Sequence, residues 1–309
     1  MDESHWRESS TPGTVVLACG HEVADPAKPH YCTYIGLRVI LPAAGEPNVG
    51  SAHTRAAINH EEANFIVVHQ ACELALLRVI RELEMTRDAI EKDDSDGALP
   101  HMRWAISWMK SAIDSTRLLF RMDKDLFMKK GVGFRDEVVP ASGAESAQAR
   151  EVELLAGMRS DSPYMTIHGR TFTFRGTMNV PAGMHGRSSR WWTLKMEERA
   201  RTPSVVCRFK EALVRAEIAL GDLMSDAHKG HPLRRLAQAI WRFEKTYLDF
   251  RQVHLKLAIH FLGPNTAGTA GSDGVPYLDA ILRTARLYPE LWAIMKDVKS
   301  PKPEGAWDH

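Results

Sequence analysis

The chain has 309 residues, 44% hydrophobic and 26% charged, with 40 basic against 39 acidic residues and a formal net charge of +1. This is the composition of a folded globular protein, with no basic surplus for nucleic acid and no tail of one charge. The four cysteines (Cys19, Cys32, Cys72, Cys207) form no CxxC pair, so neither a zinc framework nor a disulfide scaffold is indicated, and a reducing, cytoplasmic location is expected.

Residues 1–30, rich in Ser, Pro, Gly and charge, read as a loose N-terminal arm without the pattern of a signal peptide. The apolar stretch Thr14–Cys19 falls far short of the roughly 20 residues that cross a bilayer, and no membrane partner is expected. Tyr31–Leu41 fits a short helix or a strand. A long helix is predicted from about Ala56 to Lys92, where Phe65, His69, Cys72, Leu76, Val79 and Leu83 step by four and three. Asp93–Gly97 and Pro100 predict a break, followed by a helix from about His101 to Phe127 with Trp104, Met109, Ile113 and Leu118 on its apolar side. Another helix is expected after Pro140-Ala141-Ser142-Gly143.

Between residues 160 and 201 the pattern changes to an irregular insertion, in which Met165–Phe174 alternates about a His-Gly turn as a small β-hairpin does. Helix is predicted again from about Ser204 to Ser225. The strongest periodicity lies in Leu233, Leu236, Ile240, Phe243, Tyr247, Phe250, His254, Leu257 and Phe261, one continuous helical stripe with Pro232 at its first turn. Arg242, Glu244, Lys245, Asp249 and Arg251 lie off that stripe. A Gly/Thr/Ser loop follows Gly263-Pro264, then a last helix from about Pro276 to Val298, and residues 299–309 form a tail.

The one polar member of the long stripe is His254. An imidazole in an apolar seam is either a core histidine bonded to a backbone carbonyl or a ligand for a metal or heme, because neutral imidazole is the commonest metal ligand. His69 occupies the same kind of place in the first long helix. A flat apolar cofactor between two such helices accounts for both, and heme is the obvious candidate; two satisfied core histidines are the alternative. The glycines Gly268, Gly271 and Gly274 follow a helix and not a strand, which argues against a dinucleotide site. Neither HExxH, nor a Glu-x-x-His pair on two helices, nor Gly-x-Ser-x-Gly occurs.

Three blocks resemble the tryptophan 2,3-dioxygenase superfamily of histidine-ligated heme oxygenases. His60-Glu-Glu-Ala-Asn-Phe-Ile-Val-Val-His-Gln-Ala-Cys-Glu-Leu74 is similar to H-D-E-x-L-F-I-x-x-H-Q-x-Y-E-L. Phe134-Arg-Asp-Glu-Val-Val-Pro-Ala-Ser-Gly143, with Ser146, Gln148 and Arg150, is similar to F-R-D-Y-L-x-P-A-S-G-F-Q-S-x-Q-F-R. His254 to Gly263, Gly268 to Gly274 and Tyr288-Pro-Glu-Leu-Trp292 resemble H-x(8)-G, G-T-G-G-S-x-G and F-P-E-L-W. The region 158–230 carries no such match.

The resemblance implies a mainly α helical bundle enclosing a heme. It makes His254 the iron ligand and His69 the distal histidine. Phe65 would line the substrate pocket, Arg135 would grip an amino acid's carboxylate as a bidentate pair, Thr269 would hold the ammonium and carboxylate end, and Ser142 would approach the heme edge. Ala258 stands where some members carry a heme-tethering cysteine, so a noncovalent heme b is expected. Ala75-Leu76-Leu77, Gly131, Ala144-Glu145 and Ala270 depart from the dioxygenase pattern. An amino-acid anchor beside an altered ring pocket is similar to the biosynthetic L-tyrosine hydroxylase branch. The expected activity is therefore ortho-hydroxylation of L-tyrosine to L-DOPA with hydrogen peroxide, in natural-product biosynthesis. Tryptophan oxygenation with dioxygen is the alternative, and a heme sensor without catalysis the rival from another class. One heme domain over residues 31–298 and a homo-oligomer are the remaining expectations.

Overall fold

The computed structural model describes residues 6–8, 15–17, 22–23, 59–128, 146–159, 163–167, 170–173, 198–264 and 275–295. The described residues are mostly helical. Contacts divide the chain into two units, Met1–Gln70 with Met122–Phe134, and Ala71–Arg121 with Arg135–His309. The expectations for Tyr31–Leu41 and for the glycine loop after Pro264 lie outside the described residues.

In the first unit, the arm expected over residues 1–30 contains an antiparallel sheet of β1 (Trp6–Glu8), β2 (Val15–Leu17) and β3 (Glu22–Val23), in that order. Strands of two or three residues are too short to show period-two alternation in the sequence. Helix α1 (His60–Glu91) begins in this unit, where the Asn59 side chain accepts the N–H groups of Glu61 and Glu62 at 3.0 Å. The Asn59 amide also donates to the carbonyl of Leu126 at 3.3 Å. That bond ties the start of α1 to α3 (Lys124–Met128), whose own first turn is opened by Asp123 accepting from Asp125 N–H at 2.7 Å.

The second unit is built on long helices. Helix α2 (Ser95–Arg117) runs through Pro100 and starts six residues before the predicted His101. Asp94 caps it by accepting the N–H of Gly97 at 2.8 Å, and a proline so near the first turn forfeits only one helical hydrogen bond. The helix tightens to a 3-10 turn at Leu118–Arg121, which separates it from α3. Trp104 and Leu118, expected on the apolar side, are exposed, whereas Met109 and Ile113 are buried as expected, with Met102 and Ala105 beside them in the core.

Ser146 caps α4 (Ala147–Ala156) and Ser204 caps α5 (Val205–Arg215), each by accepting an N–H three residues on at 3.1 Å. Glu217, with a positive φ of 56°, ends the α5 segment before the short α6 (Leu220–Leu223). Strands β4 (Pro163–Ile167) and β5 (Arg170–Thr173) pair antiparallel, and β4 runs beside α8 (Val275–Thr284).

Helix α7 (Pro232–Leu262) is the axis of this unit and packs chiefly on α2. His231 accepts the N–H of Leu233 at 3.2 Å to start it, and Gly263 stops it with a φ of 82° that favours glycine. Leu236, Ile240, Phe243 and Tyr247 of the predicted stripe are buried in one core with Leu76, Val79 and Leu83 of α1. Glu244, placed off the stripe by its spacing, is only 1% exposed. Its carboxylate accepts the N–H of Leu287 at 2.8 Å and of Tyr288 at 3.3 Å. The last helix, predicted as one piece, is therefore two: α8 ends at Thr284, and α9 (Pro289–Met295) begins anew after the segment that Glu244 holds.

By length and composition, α1 is apolar enough to cross a membrane, with an 18-residue window of mean hydropathy 1.4 of which 28% is buried. Glu73, Arg78, Arg81 and Glu82 lie along the same helix.

Candidate functional site

In the first unit the predicted distal residues meet. His69 lies one helical turn after Phe65 on α1, and the two rings stand 3.9 Å apart at 37°. The His69 Nδ1 lies 2.7 Å from the backbone carbonyl of Phe65. A carbonyl only accepts, so Nδ1 carries a proton, and in the neutral imidazole the acceptor lone pair is on Nε2. The helix thus fixes both the tautomer and the direction of the ring. Phe127 of α3 stacks on Phe65 with centroids 6.0 Å apart and 29° between planes. Spacing alone does not single out Phe127, since it follows the polar run Asp123-Lys124-Asp125. The dioxygenase pattern expects an aromatic side chain at position 131, which is Gly131 here; Phe127, four residues earlier, places a ring beside Phe65.

On the part of α1 in the second unit, Cys72 is pushed up to about 11 by burial, against the hydroxyl of Thr116, which donates to its sulfur at 3.9 Å. It stays a thiol at neutral pH and is a packing residue, not a nucleophile.

The second candidate centre is His254. The α7 stripe is buried before it at Phe243 and Tyr247 and after it at Leu257 and Phe261, while Phe250 and His254 themselves are half-buried. An apolar seam that opens at a phenyl ring and an imidazole one turn apart suits a histidine-ligated heme, which needs one outward nitrogen and apolar surface for the macrocycle. The residues present therefore fit the group. One turn before His254, Arg251 donates from Nε to the Tyr247 hydroxyl at 2.9 Å and ion-pairs with Glu153 of α4. The Tyr247 hydroxyl donates to the same carboxylate, whose other oxygen takes Arg150 at 3.2 Å. Beside it, Arg199 bridges Glu151 and Glu84. Of these charged groups only Arg150 falls in a family-like motif, and Arg251 lies off the α7 stripe by its spacing. Charged residues in a helix are ordinarily placed at the surface, and pairing across 48 or more positions, as for Arg199 with Glu151 and Arg251 with Glu153, leaves no local signal.

Arg135, Ser142 and Thr269 lie outside the described residues. Among the described residues no cluster of three or more His, Cys, Asp or Glu is arranged to hold a bare metal ion.

Residues 18–207 match the family described as tryptophan 2,3-dioxygenase. The chain belongs to that family. The match runs through most of the 158–230 region that the motifs had left unplaced, and it ends before His254. Individual relatives extend further. Tryptophan 2,3-dioxygenase 2 of Ralstonia nicotianae is 25% identical over 85% of this chain and 91% of its own length. The enzyme of Bacillus thuringiensis subsp. konkukian is 26% identical over 79% of this chain and 87% of its own, and that of Sorangium cellulosum 24% over 91% and 87%. Membership makes the chain a heme-dependent oxidoreductase of the aromatic oxygenase type. These relatives are named for tryptophan and dioxygenation, not for the tyrosine and peroxide expected from the altered pocket residues.

Proposed function

We propose that this protein is a heme-dependent oxygenase of tryptophan or a closely related indole amino acid, using dioxygen. The observation that carries the reading is the His69 Nδ1 to Phe65 carbonyl bond of 2.7 Å, taken with family membership. That bond leaves Nε2 as the acceptor nitrogen of a neutral ring, and an indole N–H is a donor only. His69 Nε2 receives the indole N–H and orients the ring, with Phe65 and Phe127 as apolar walls that keep water from it. Arg135 takes the carboxylate as a bidentate pair, and Thr269 takes the ammonium end. His254 would ligate the iron of a noncovalent heme b through one imidazole nitrogen, and Ser142 is the residue expected toward the heme edge. When bound, the heme supplies activation of dioxygen, and the chain supplies position, dryness and one proton acceptor.

The departures at Ala75-Leu76-Leu77, Ala144-Glu145 and Ala270 favour a second reading, in which the same anchor presents L-tyrosine for hydroxylation with hydrogen peroxide. There His69 Nε2 would take the phenol O–H instead. A cytoplasmic, homo-oligomeric enzyme suits either reading. The first experiment is the visible spectrum of wild type and His254→Ala reconstituted with heme. A histidine-ligated spectrum lost in the variant supports the assignment, and an unchanged spectrum at full heme content overturns it.

A further inference from the structure

We infer that Arg251 is a positioning residue for His254, locked by Glu153 and Tyr247 so that the imidazole keeps a single orientation. The inference rests on His254 being the heme ligand. Arg251 and Glu153 are 13% and 1% exposed at their side chains, and Arg150 is 9% exposed. The Glu153 carboxylate on α4 thus holds guanidinium groups from two helices, its own and α7, together with the Tyr247 hydroxyl. The Arg251 guanidinium also lies 5.0 Å from the Tyr247 ring centroid, so the fork is gripped both at its edge and on its face.

What this does to His254 follows from helix geometry. Tyr247 and Arg251 are i and i+4, Arg251 and His254 are i and i+3, and all three project from neighbouring positions on α7. Dispersion contacts along the rest of the stripe resist separation of the helices but tolerate small rotations about the helix axis. A planar guanidinium held by a carboxylate and a phenol does not, because its hydrogen bonds are directional. Fixing the azimuth of Arg251 fixes the direction in which the side chain at 254 leaves the helix, roughly 60° around from it. A network that served only to join α4 to α7 would lower stability when broken and leave the ligand geometry as it was.

The test uses the full-length chain reconstituted with heme, as wild type, Arg251→Met, Arg251→Lys and Tyr247→Phe. The readouts are the iron–histidine stretching band of the ferrous protein by resonance Raman and the rate of heme loss to an excess of apomyoglobin. Arg251→Met should shift or split the band and speed heme loss by about 10- to 100-fold, the scale of lost support behind a metal ligand. Arg251→Lys should recover part of both, and Tyr247→Phe, which removes a single hydroxyl, should shift the band in the same direction by less. A wild-type band and heme-loss rate in Arg251→Met, whatever its thermal midpoint, overturn the proposal. Should Arg251→Met not fold, Tyr247→Phe decides by the same criterion. If His254→Ala keeps the wild-type band, the ligand reading itself fails, independently of what the variants at 251 and 247 do.

Discussion

Glu244 is buried in the middle of α7 and accepts the N–H of Leu287 at 2.8 Å, so that one carboxylate holds the segment that leads from α8 into α9. Burial raises its pKa, and the backbone N–H groups of Leu287 and Tyr288 only partly offset that. A carboxyl whose pKa is raised on folding stabilises the fold fully below its ordinary pKa, and the contribution falls away as pH rises through the raised value. Denaturant titrations from about pH 4 to pH 7 should therefore show wild type losing stability relative to Glu244→Gln as pH rises. Parallel curves would contradict this. Glu244→Ala leaves two buried N–H groups without their acceptor and should cost at least about 2 kcal/mol at any pH.

His69→Phe keeps an aromatic ring beside Phe65 and removes the acceptor nitrogen. One hydrogen bond to a substrate donor, lost with the donor left buried, is worth about 1–3 kcal/mol. kcat/KM should fall roughly 5- to 150-fold, with heme content unchanged. Turnover within twofold of wild type would remove His69 from the substrate site.

Arg135→Leu removes the carboxylate clamp. A charge-assisted bond contributes about 1.5–3 kcal/mol, so KM should rise by roughly one to two orders of magnitude. The same variant should bind decarboxylated substrate as wild type does. An equal loss for both ligands would place the clamp elsewhere.

Phe127→Ala opens the wall behind Phe65. With Phe65 left in place, KM for the amino acid should rise more than KM for dioxygen, and truncating this half-buried ring should cost less stability than the about 3–5 kcal/mol of a fully buried one. A stability loss without any change in substrate KM would make Phe127 a packing residue only.

Much of this architecture is legible in periodicity. The stripe from Leu233 to Phe261 predicts α7 within a residue or two at each end, because Pro232 and Gly263 bracket it and apolar residues repeat without interruption. The break at Pro100 is a misreading: the cap at Asp94 outweighs one missing hydrogen bond, and a rule about proline in isolation does not weigh the two. The single last helix fails for another reason, since Glu244 lies far from Leu287 in sequence and no local pattern links them. The same holds at the candidate site. His69, Phe65 and His254 stand out as residues in apolar stripes, whereas Arg251 and Glu153 become visible only when α4 and α7 are brought together. Phe127 is a lone phenylalanine until α3 lays it on Phe65.

The most direct measurement is product analysis of the ferrous, heme-loaded protein with L-tryptophan under isotopically labelled dioxygen, alongside L-tyrosine with hydrogen peroxide. N-formylkynurenine, or the corresponding product of a related indole amino acid, is expected to carry two labelled oxygen atoms, with little DOPA from tyrosine. DOPA formed from tyrosine and peroxide, with tryptophan recovered unchanged, would contradict this expectation.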